Sequence, residues 1–503
     1  MKTDFLNRTT KFFRYTLLTG GILYIAAYLT IVFLRIQYPF ELEWEEGAAV
    51  DHVLRILSGQ KYYVSPSLEF VPSIYTPLFF YVSAAVSVIT GAGFIPLRLV
   101  SFISSLGSFL IIYLIVKRET GNTFSGIIAS CLFAATFRLS GSWFDVGRVD
   151  SLFLFFLLTA LYLVKFSTSG KSYILAGVFI SLSFLTKQTA LVISLPLILY
   201  CILSNQRPAF FFIGTTIAII GLSNLFLNYM HDGWYNYYVF ELPRTTPISK
   251  RPLFFFWSTD IKKPLFIAVS ISIFYMLSQF SNSNKKNILF YFLAASGMLA
   301  GVWFSRYRGG GGSNVLLPAY AIISILFGLG FHTFLEFIKS LQENKRNLLE
   351  IFIYLACIVQ FSSESLIYNP LSQIPTQKDL EAGREFIDKV AQIKGEVFVP
   401  YHGYLPLLAG KKSYAHQMGM RDVLKTRSKQ HAIIKNKLID EIKEAMRGKR
   451  FSAIIIDSVE PWYPPDMEKY YVRQEKIFED ETVFLPVTGM QTRPEYIYIP
   501  QKQ

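Results

Sequence analysis

Long apolar runs separated by short polar connectors set the pattern of this chain from its start to about residue 370. The first run, from about Tyr15 to Leu34, follows Lys2, Arg8, Lys11 and Arg14. It is long enough to cross a bilayer and no small-residue cleavage site follows, so it predicts an uncleaved first span with a cytoplasmic start. Ten more spans are predicted at roughly 97–116, 123–139, 150–166, 172–186, 188–204, 209–229, 264–280, 288–304, 315–338 and 347–363, for about eleven crossings.

Between the first two spans the period changes. Ala49, Val50, Val53, Leu54 and Leu57 recur at helical spacing, with Asp51 and Arg55 as an i,i+4 pair on the polar side. That spacing predicts a short amphipathic helix along the interface, stopped by Gly59. Ser73 to Thr90 has a length that suits either a crossing or an interfacial helix. Lys and Arg divide evenly between the two sets of connectors, so the positive-inside rule does not choose. An interfacial helix brings the acidic stretch Glu41 to Gly47, the Asp145 to Asp150 loop, Lys187 and the Arg306 to Asn314 loop to one outer face; a crossing would strand the first of these.

Beyond about residue 370 the apolar runs shorten and charges become frequent. Glu381 to Ala391 and Lys425 to Arg447 read as helices, Val397 to Pro400 and Ala453 to Asp457 as strands. The expected fold is an α-helical polytopic membrane protein with interfacial helices and a small C-terminal α/β extracytoplasmic domain. Its parts are a transmembrane domain over 1–370, with a first outer loop over 35–96, and a soluble domain over 371–503.

Composition agrees, since 52% of the 503 residues are hydrophobic, too many for an ordinary soluble protein. The net charge of +14 is spread over connectors instead of forming one basic face, which argues against nucleic acid and for the lipid bilayer and phosphorylated lipids as partners. Cys131, Cys201 and Cys357 all lie in apolar segments, so neither a disulfide framework nor a thiolate metal site is implied.

The candidate chemistry starts at Glu41, Glu43, Glu45 and Glu46, just past the first span, where a charge is costly unless it has a partner or a task. On a helix Glu45 and Glu46 diverge by about 100°, so one can face a site as general base or metal ligand while the other holds a backbone group or a cation. Equally, acids favour the positive end of a helix. Asp150 opens an apolar run and suits either a cap or a site, while Arg148 can bind a phosphate or pair with Asp145 or Asp150. Lys187 is a lone cation in a short connector, placed to meet lipid phosphates or a bound phosphate. Arg306 and Arg308 precede the run Gly309 to Gly312, whose accessible N–H groups suit an anion. His402 and His416 lack a matching acidic cluster and do not spell a zinc site. A divalent cation shared by two outer acidic sites stays open, and no other cofactor is implied.

The order of these features resembles the C-type membrane glycosyltransferases, especially bacterial relatives of protein O-mannosyltransferases and lipid A aminoarabinose transferases. The resemblance rests on Glu45-Glu46-Gly47, Tyr75-Thr76-Pro77-Leu78-Phe79-Phe80-Tyr81, Arg98-Leu99-Val100-Ser101, Gly147-Arg148-Val149-Asp150, Leu185-Thr186-Lys187 and Gly311 to Pro318. It implies a catalytic carboxylate at Glu45 with Glu46 beside it, where relatives commonly have Asp-Glu. Asp150 would be the second acidic position, with Lys187 and the Arg306/Arg308 loop at the carrier's phosphate. The implied reaction moves a sugar from a polyprenyl-phosphate donor to a glycan, lipid or protein acceptor outside the cytoplasmic membrane. Replacing both Glu45 and Glu46 by Gln is then expected to abolish transfer and leave the fold intact. A transporter or flippase of a phosphorylated lipid stays open as an alternative, although the chain shows no internal repeat and no charges in the centres of its spans.

Overall fold

Every stretch expected to span carries a helix. In the computed structural model these are α1 (Lys2–Arg35), then, after two short helices α2 (Glu46–Leu57) and α3 (Leu78–Thr90), α4 (Phe94–Thr120), α5 (Thr123–Ala135), α6 (Asp150–Phe166), α7 (Gly170–Thr186), α8 (Thr189–Leu203) and α9 (Ala209–Met230), followed by the helices Lys263–Phe280, Lys285–Tyr307, Leu317–Ile338 and Glu343–Phe361. The structure describes residues 2–204, 208–245, 253–280, 285–308, 311–426, 428, 430–459 and 461–502. Among them, six helices are long and apolar enough to cross a membrane by length and composition, and the chain is a multi-pass membrane protein. Their shared core runs from Leu17 and Tyr28 on α1 through Leu157 on α6 to Phe327 on the Leu317–Ile338 helix. The exposed Leu, Ile and Phe of α1, α4 and α9 form the face a bilayer would cover.

The ambiguous run beginning at Ser73 becomes the 13-residue α3, about 20 Å long at 1.5 Å per residue against a hydrocarbon core of about 30 Å. It packs on α2, α4 and α7. Two π-helical segments, Tyr237–Glu241 and Phe256–Lys262, flank the connection after α9. The periodicity of the chain gives no sign of either.

The C-terminal part carries a four-stranded sheet of β1 (Val397–Phe398), β2 (Ala453–Asp457), β3 (Tyr471–Lys476) and β4 (Pro494–Pro500), in the order β1-β2-β4-β3. Strands β1 and β2 are parallel, with Val397 opposite Ala453, and the remaining pairs are antiparallel. The helices Gln377–Gln392 and Ala432–Arg447 bury Phe386, Val390, Leu438 and Ile442 against Ile454 and Ile456. The expected helix Lys425 to Arg447 starts later, at Ala432, and runs to Arg447, while a separate helix, Gln417–Leu424, ends just before the expected start. Strand β3 escapes sequence reading because it lies at the sheet's edge with only Tyr471 buried, leaving no alternation to detect.

One core joins this sheet to the first outer loop, placing Val50, Tyr62 and Phe80 with Phe398 and Ile454. Asp51 belongs to that junction: it turns from Arg55 to accept the Ser413 hydroxyl at 2.5 Å, while Arg55 donates to the Lys61 carbonyl at 2.7 Å. Burial pushes the Asp51 carboxyl up to about 8, so the folded state keeps a proton that the unfolded chain sheds above about pH 4. Its stabilising contribution is therefore full below that pH, falls as pH rises and is gone above about 8. D51N keeps an acceptor for Ser413 and has no proton to lose. Its melting temperature should exceed that of the wild type by an amount that grows from about pH 5 to about pH 8 and then levels off at several degrees, read by thermal unfolding in detergent.

Candidate active site

The acidic stretch splits into a buried half and an open half. Glu46 is fully buried, and Arg98 of α4 grips it through Nε at 3.2 Å and Nη2 at 2.7 Å. The Leu42 and Gly147 N–H groups donate to the same carboxylate at 2.8 and 2.6 Å. Burial pushes this carboxyl up, but Arg98 and the two N–H groups outweigh it and the net shift is downward. Arg98 is completed by the carbonyls of Tyr38 and Phe40, each at 2.6 Å. Glu46 is thus a charged anchor that ties α2, α4 and the Gly147 loop together.

Glu45, one residue earlier, opens onto a cavity of about 1020 Å³. It is paired with Arg148, whose guanidinium also lies 3.7 Å from Glu43 and over the Trp143 and Tyr75 rings. Glu43 is buried, and one of its oxygens has no hydrogen-bond partner among the described residues. Burial pushes its carboxyl well up, Arg148 opposes this and the Glu45 charge adds to it.

The expected donor-phosphate residues Arg148, Lys187, Arg306 and Arg308 all line this same cavity. Lys187 donates to Asp150 at 2.5 Å, and Asn314 donates to the same carboxylate at 3.1 and 3.2 Å. Asp150 therefore lies behind the wall, holding two side chains that face in. Arg306 forms a two-pronged pair with Asp260 at 2.8 and 3.1 Å, and Arg308 donates to the Pro243 carbonyl at 2.8 Å. Gly309 and Gly310 lie outside the described residues; Gly311 and Gly312 line the cavity. Asp145, once a possible partner of Arg148, is bound instead to Arg35 at 2.6 and 2.8 Å.

The C-terminal part supplies wall residues that the sequence pattern did not single out, namely Met418, Arg421, Asp422 and Lys425, and with them His416. His416 accepts the Met418 N–H at 3.2 Å, donates to the Tyr401 carbonyl at 2.7 Å and lies 5.2 Å from the Trp44 ring. Behind this wall, buried His402 bridges Glu41 of the first loop and Asp457 of β2, the latter at 3.0 Å. Burial opposes its charge, but Asp457 and Glu41 outweigh it and raise the imidazole to about 10, so the bridge is charged at neutral pH. The second Glu41 oxygen accepts the Gly47 N–H at 3.1 Å. A Cβ on Gly47 would lie 2.2 Å from that oxygen and 3.0 Å from the Tyr404 nitrogen, so only glycine fits here.

Seven cationic side chains, Arg138, Arg148, Lys187, Arg306, Arg308, Arg421 and Lys425, line the cavity against two carboxylates, Glu45 and Asp422. That excess suits a phosphorylated ligand. Glu45 and Asp150, the two acidic sites considered for a shared divalent ion, each hold a cationic side chain, and no group of three or more His, Cys, Asp or Glu among the described residues is placed to hold a metal.

Residues 73–226 match the sequence family described as dolichyl-phosphate-mannose-protein mannosyltransferase. No curated protein matches the chain. Among solved structures, ArnT from Cupriavidus metallidurans bound to undecaprenyl phosphate superposes with a TM-score of 0.61 at 10% identity, over 95% of this chain and 97% of that one. Its apo form gives the same TM-score and coverage at 12% identity. The apo oligosaccharyltransferase of Archaeoglobus fulgidus superposes with a TM-score of 0.56 at 11% identity, over 88% of this chain and 69% of that one. By fold along nearly its whole length and by family pattern over residues 73–226, this chain resembles the C-type membrane glycosyltransferases.

Proposed function

We propose that this protein transfers a sugar from a polyprenyl-phosphate-linked donor to a cell-envelope acceptor, on the outer face of the cytoplasmic membrane. The observation that carries this reading is the meeting of Glu45 with Arg148, Lys187, Arg306 and Arg308 in one cavity. The ArnT structure of the same fold was solved with undecaprenyl phosphate, a ligand whose charge such a cavity suits. The cations and nearby N–H groups stabilise the negative charge that builds on the departing phosphate. Glu45 stands at the reacting centre, Lys187 is steadied by Asp150, and Glu46 fixes the first turn of α2 beneath them. Short helices α2 and α3 lie at the boundary, where a carrier's headgroup is presented without extracting its tail. In this reading residues 1–370 form the membrane domain, and residues 371–503 lie outside and close the cavity.

Deleting the gene should cause one lipid-linked sugar to accumulate and one glycosylated envelope component to disappear, both read by mass spectrometry of membrane extracts. An unchanged lipid-linked pool, with loss of a lipid from the outer leaflet, would instead mark a transporter.

A further inference from the structure

Glu45 projects from a stretch of chain that the C-terminal part grips on both sides. Ahead of it, the Thr488 N–H donates to the Leu42 carbonyl at 3.1 Å and the Thr488 hydroxyl donates to the Gly141 carbonyl. The Trp44 ring lies 5.9 Å from Tyr401 and 5.2 Å from His416. After it, the first turn of α2 meets the backbone next to His402. A Cβ on Gly47 would lie 3.2 Å from the Gly403 nitrogen, and one on Gly403 would lie 3.1 Å from the Ala48 nitrogen. Glu45 is the N-cap of α2, so any tilt of that turn moves its carboxylate.

His402 closes the grip. It follows β1, and Asp457 ends β2, the parallel neighbour of β1. The ring donates from Nε2 to Asp457 at 3.0 Å and pairs through Nδ1 with one oxygen of Glu41. The Asp457 oxygen also accepts the Thr492 hydroxyl at 2.6 Å, and the second Glu41 oxygen accepts the Gly47 N–H at 3.1 Å. That N–H belongs to the first helical turn, whose donors have no partner within the helix, and a carboxylate is favoured there by the helix dipole. All three side chains are buried, and neither His402 nor Glu41 lines the cavity. A doubly protonated imidazole donates from opposite sides of one rigid ring, which suits it to span the gap between sheet and loop.

We infer that His402 is a positioning residue for transfer: acting through Glu41 and the Gly47 N–H, it fixes the first turn of α2 and so sets where Glu45 stands relative to Lys187 and Arg306. The inference rests on the transferase reading above. Arg98 pins the same turn from the membrane side through Glu46. One pin leaves the turn free to pivot; the second, from the C-terminal sheet, stops it. A carboxylate about 1 Å out of place can cost as much as about 100-fold in rate, so a pin that touches no substrate still governs turnover.

The test uses membrane vesicles from a strain lacking the gene, which hold this protein's own donor and acceptor. Purified wild type, E41A, E41Q, H402Q and E41A/H402Q are fused into them. Consumption of lipid-linked sugar per folded molecule is followed by mass spectrometry as the donor is diluted with plain lipid. E41A should lower the maximal rate by ~10-fold or more and leave the donor requirement within about twofold of wild type, because Lys187 and Arg306 keep Asp150 and Asp260. E41Q should recover most of that rate: its amide oxygen accepts the Gly47 N–H and its NH₂ group donates to an Nδ1 that has given up its proton. H402Q strands two buried carboxylates and should melt lower, so E41A, which leaves the ring on Asp457, carries the comparison. The H402Q protein that folds should be as slow as E41A, and E41A/H402Q no slower than E41A, since the two side chains act in series. A bridge that is only structural would lower the melting temperatures and leave the rate per folded molecule within about threefold of wild type, which would overturn the assignment. Losses that multiply in the double variant, or a raised donor requirement at an unchanged maximal rate, would overturn it too. A wild type that consumes no lipid-linked sugar would instead overturn the transferase reading beneath it.

Discussion

Glu45→Gln should give a folded protein that transfers sugar at least ~100-fold more slowly at saturating donor and acceptor. The substitution removes the negative charge next to the reacting centre and leaves Lys187, Arg306 and Arg308 on their own partners, Asp150, Asp260 and the Pro243 carbonyl. Donor affinity should therefore hold while the maximal rate falls, the pattern of an interaction made in the transition state. The fold survives because Arg148 has a second carboxyl in waiting. Glu43 lies 3.7 Å from it, and burial and the Glu45 charge hold its carboxyl well above the usual range. Without that charge Glu43 ionises more readily and replaces the lost counter-ion. Full turnover by Glu45→Gln in the vesicle assay would remove Glu45 from the chemistry.

The helical frame was legible because each apolar run is long and carries its own boundaries. Lys117 and Arg118 end α4, and Asp150 opens α6; the bilayer imposes this pattern locally and no distant contact is needed to read it. The site was legible only in part. Glu45, Arg148, Lys187, Arg306 and Arg308 stood out as charges at the ends of apolar runs, and they meet in one cavity. Their partners did not stand out, because each pairing joins residues far apart in the chain. Arg98 could have been flagged: a lone cation entering an apolar helix needs a buried counter-charge, and the structure supplies Glu46. Arg35, which finds Asp145, gives the same signal. Asp422 gave none, since it follows Arg421 on a short helix in a polar region, and only the docking of that helix over the first loop makes its carboxyl part of the cavity.

The expectation that Glu45 and Glu46 can be exchanged together without harm to the fold does not survive this geometry. Glu46 accepts two bonds from Arg98 and one each from the Leu42 and Gly147 N–H groups, all in a fully buried setting. Glutamine offers one acceptor oxygen and places an NH₂ group among donors, leaving the Arg98 guanidinium buried without a counter-charge. Breaking such a pair from one side costs about 3–5 kcal/mol, comparable with a large part of a domain's net stability of about 5–15 kcal/mol. Glu46→Gln should therefore lower the melting temperature sharply and reduce the yield of folded protein. Its loss of transfer should track its loss of fold, whereas Glu45→Gln loses transfer alone. Arg98→Met combined with Glu46→Gln should recover part of the stability, because the stranded cation is gone. Thermal unfolding of the three variants beside the wild type decides it: a Glu46→Gln protein that melts with the wild type yet transfers nothing would move Glu46 from the scaffold to the chemistry.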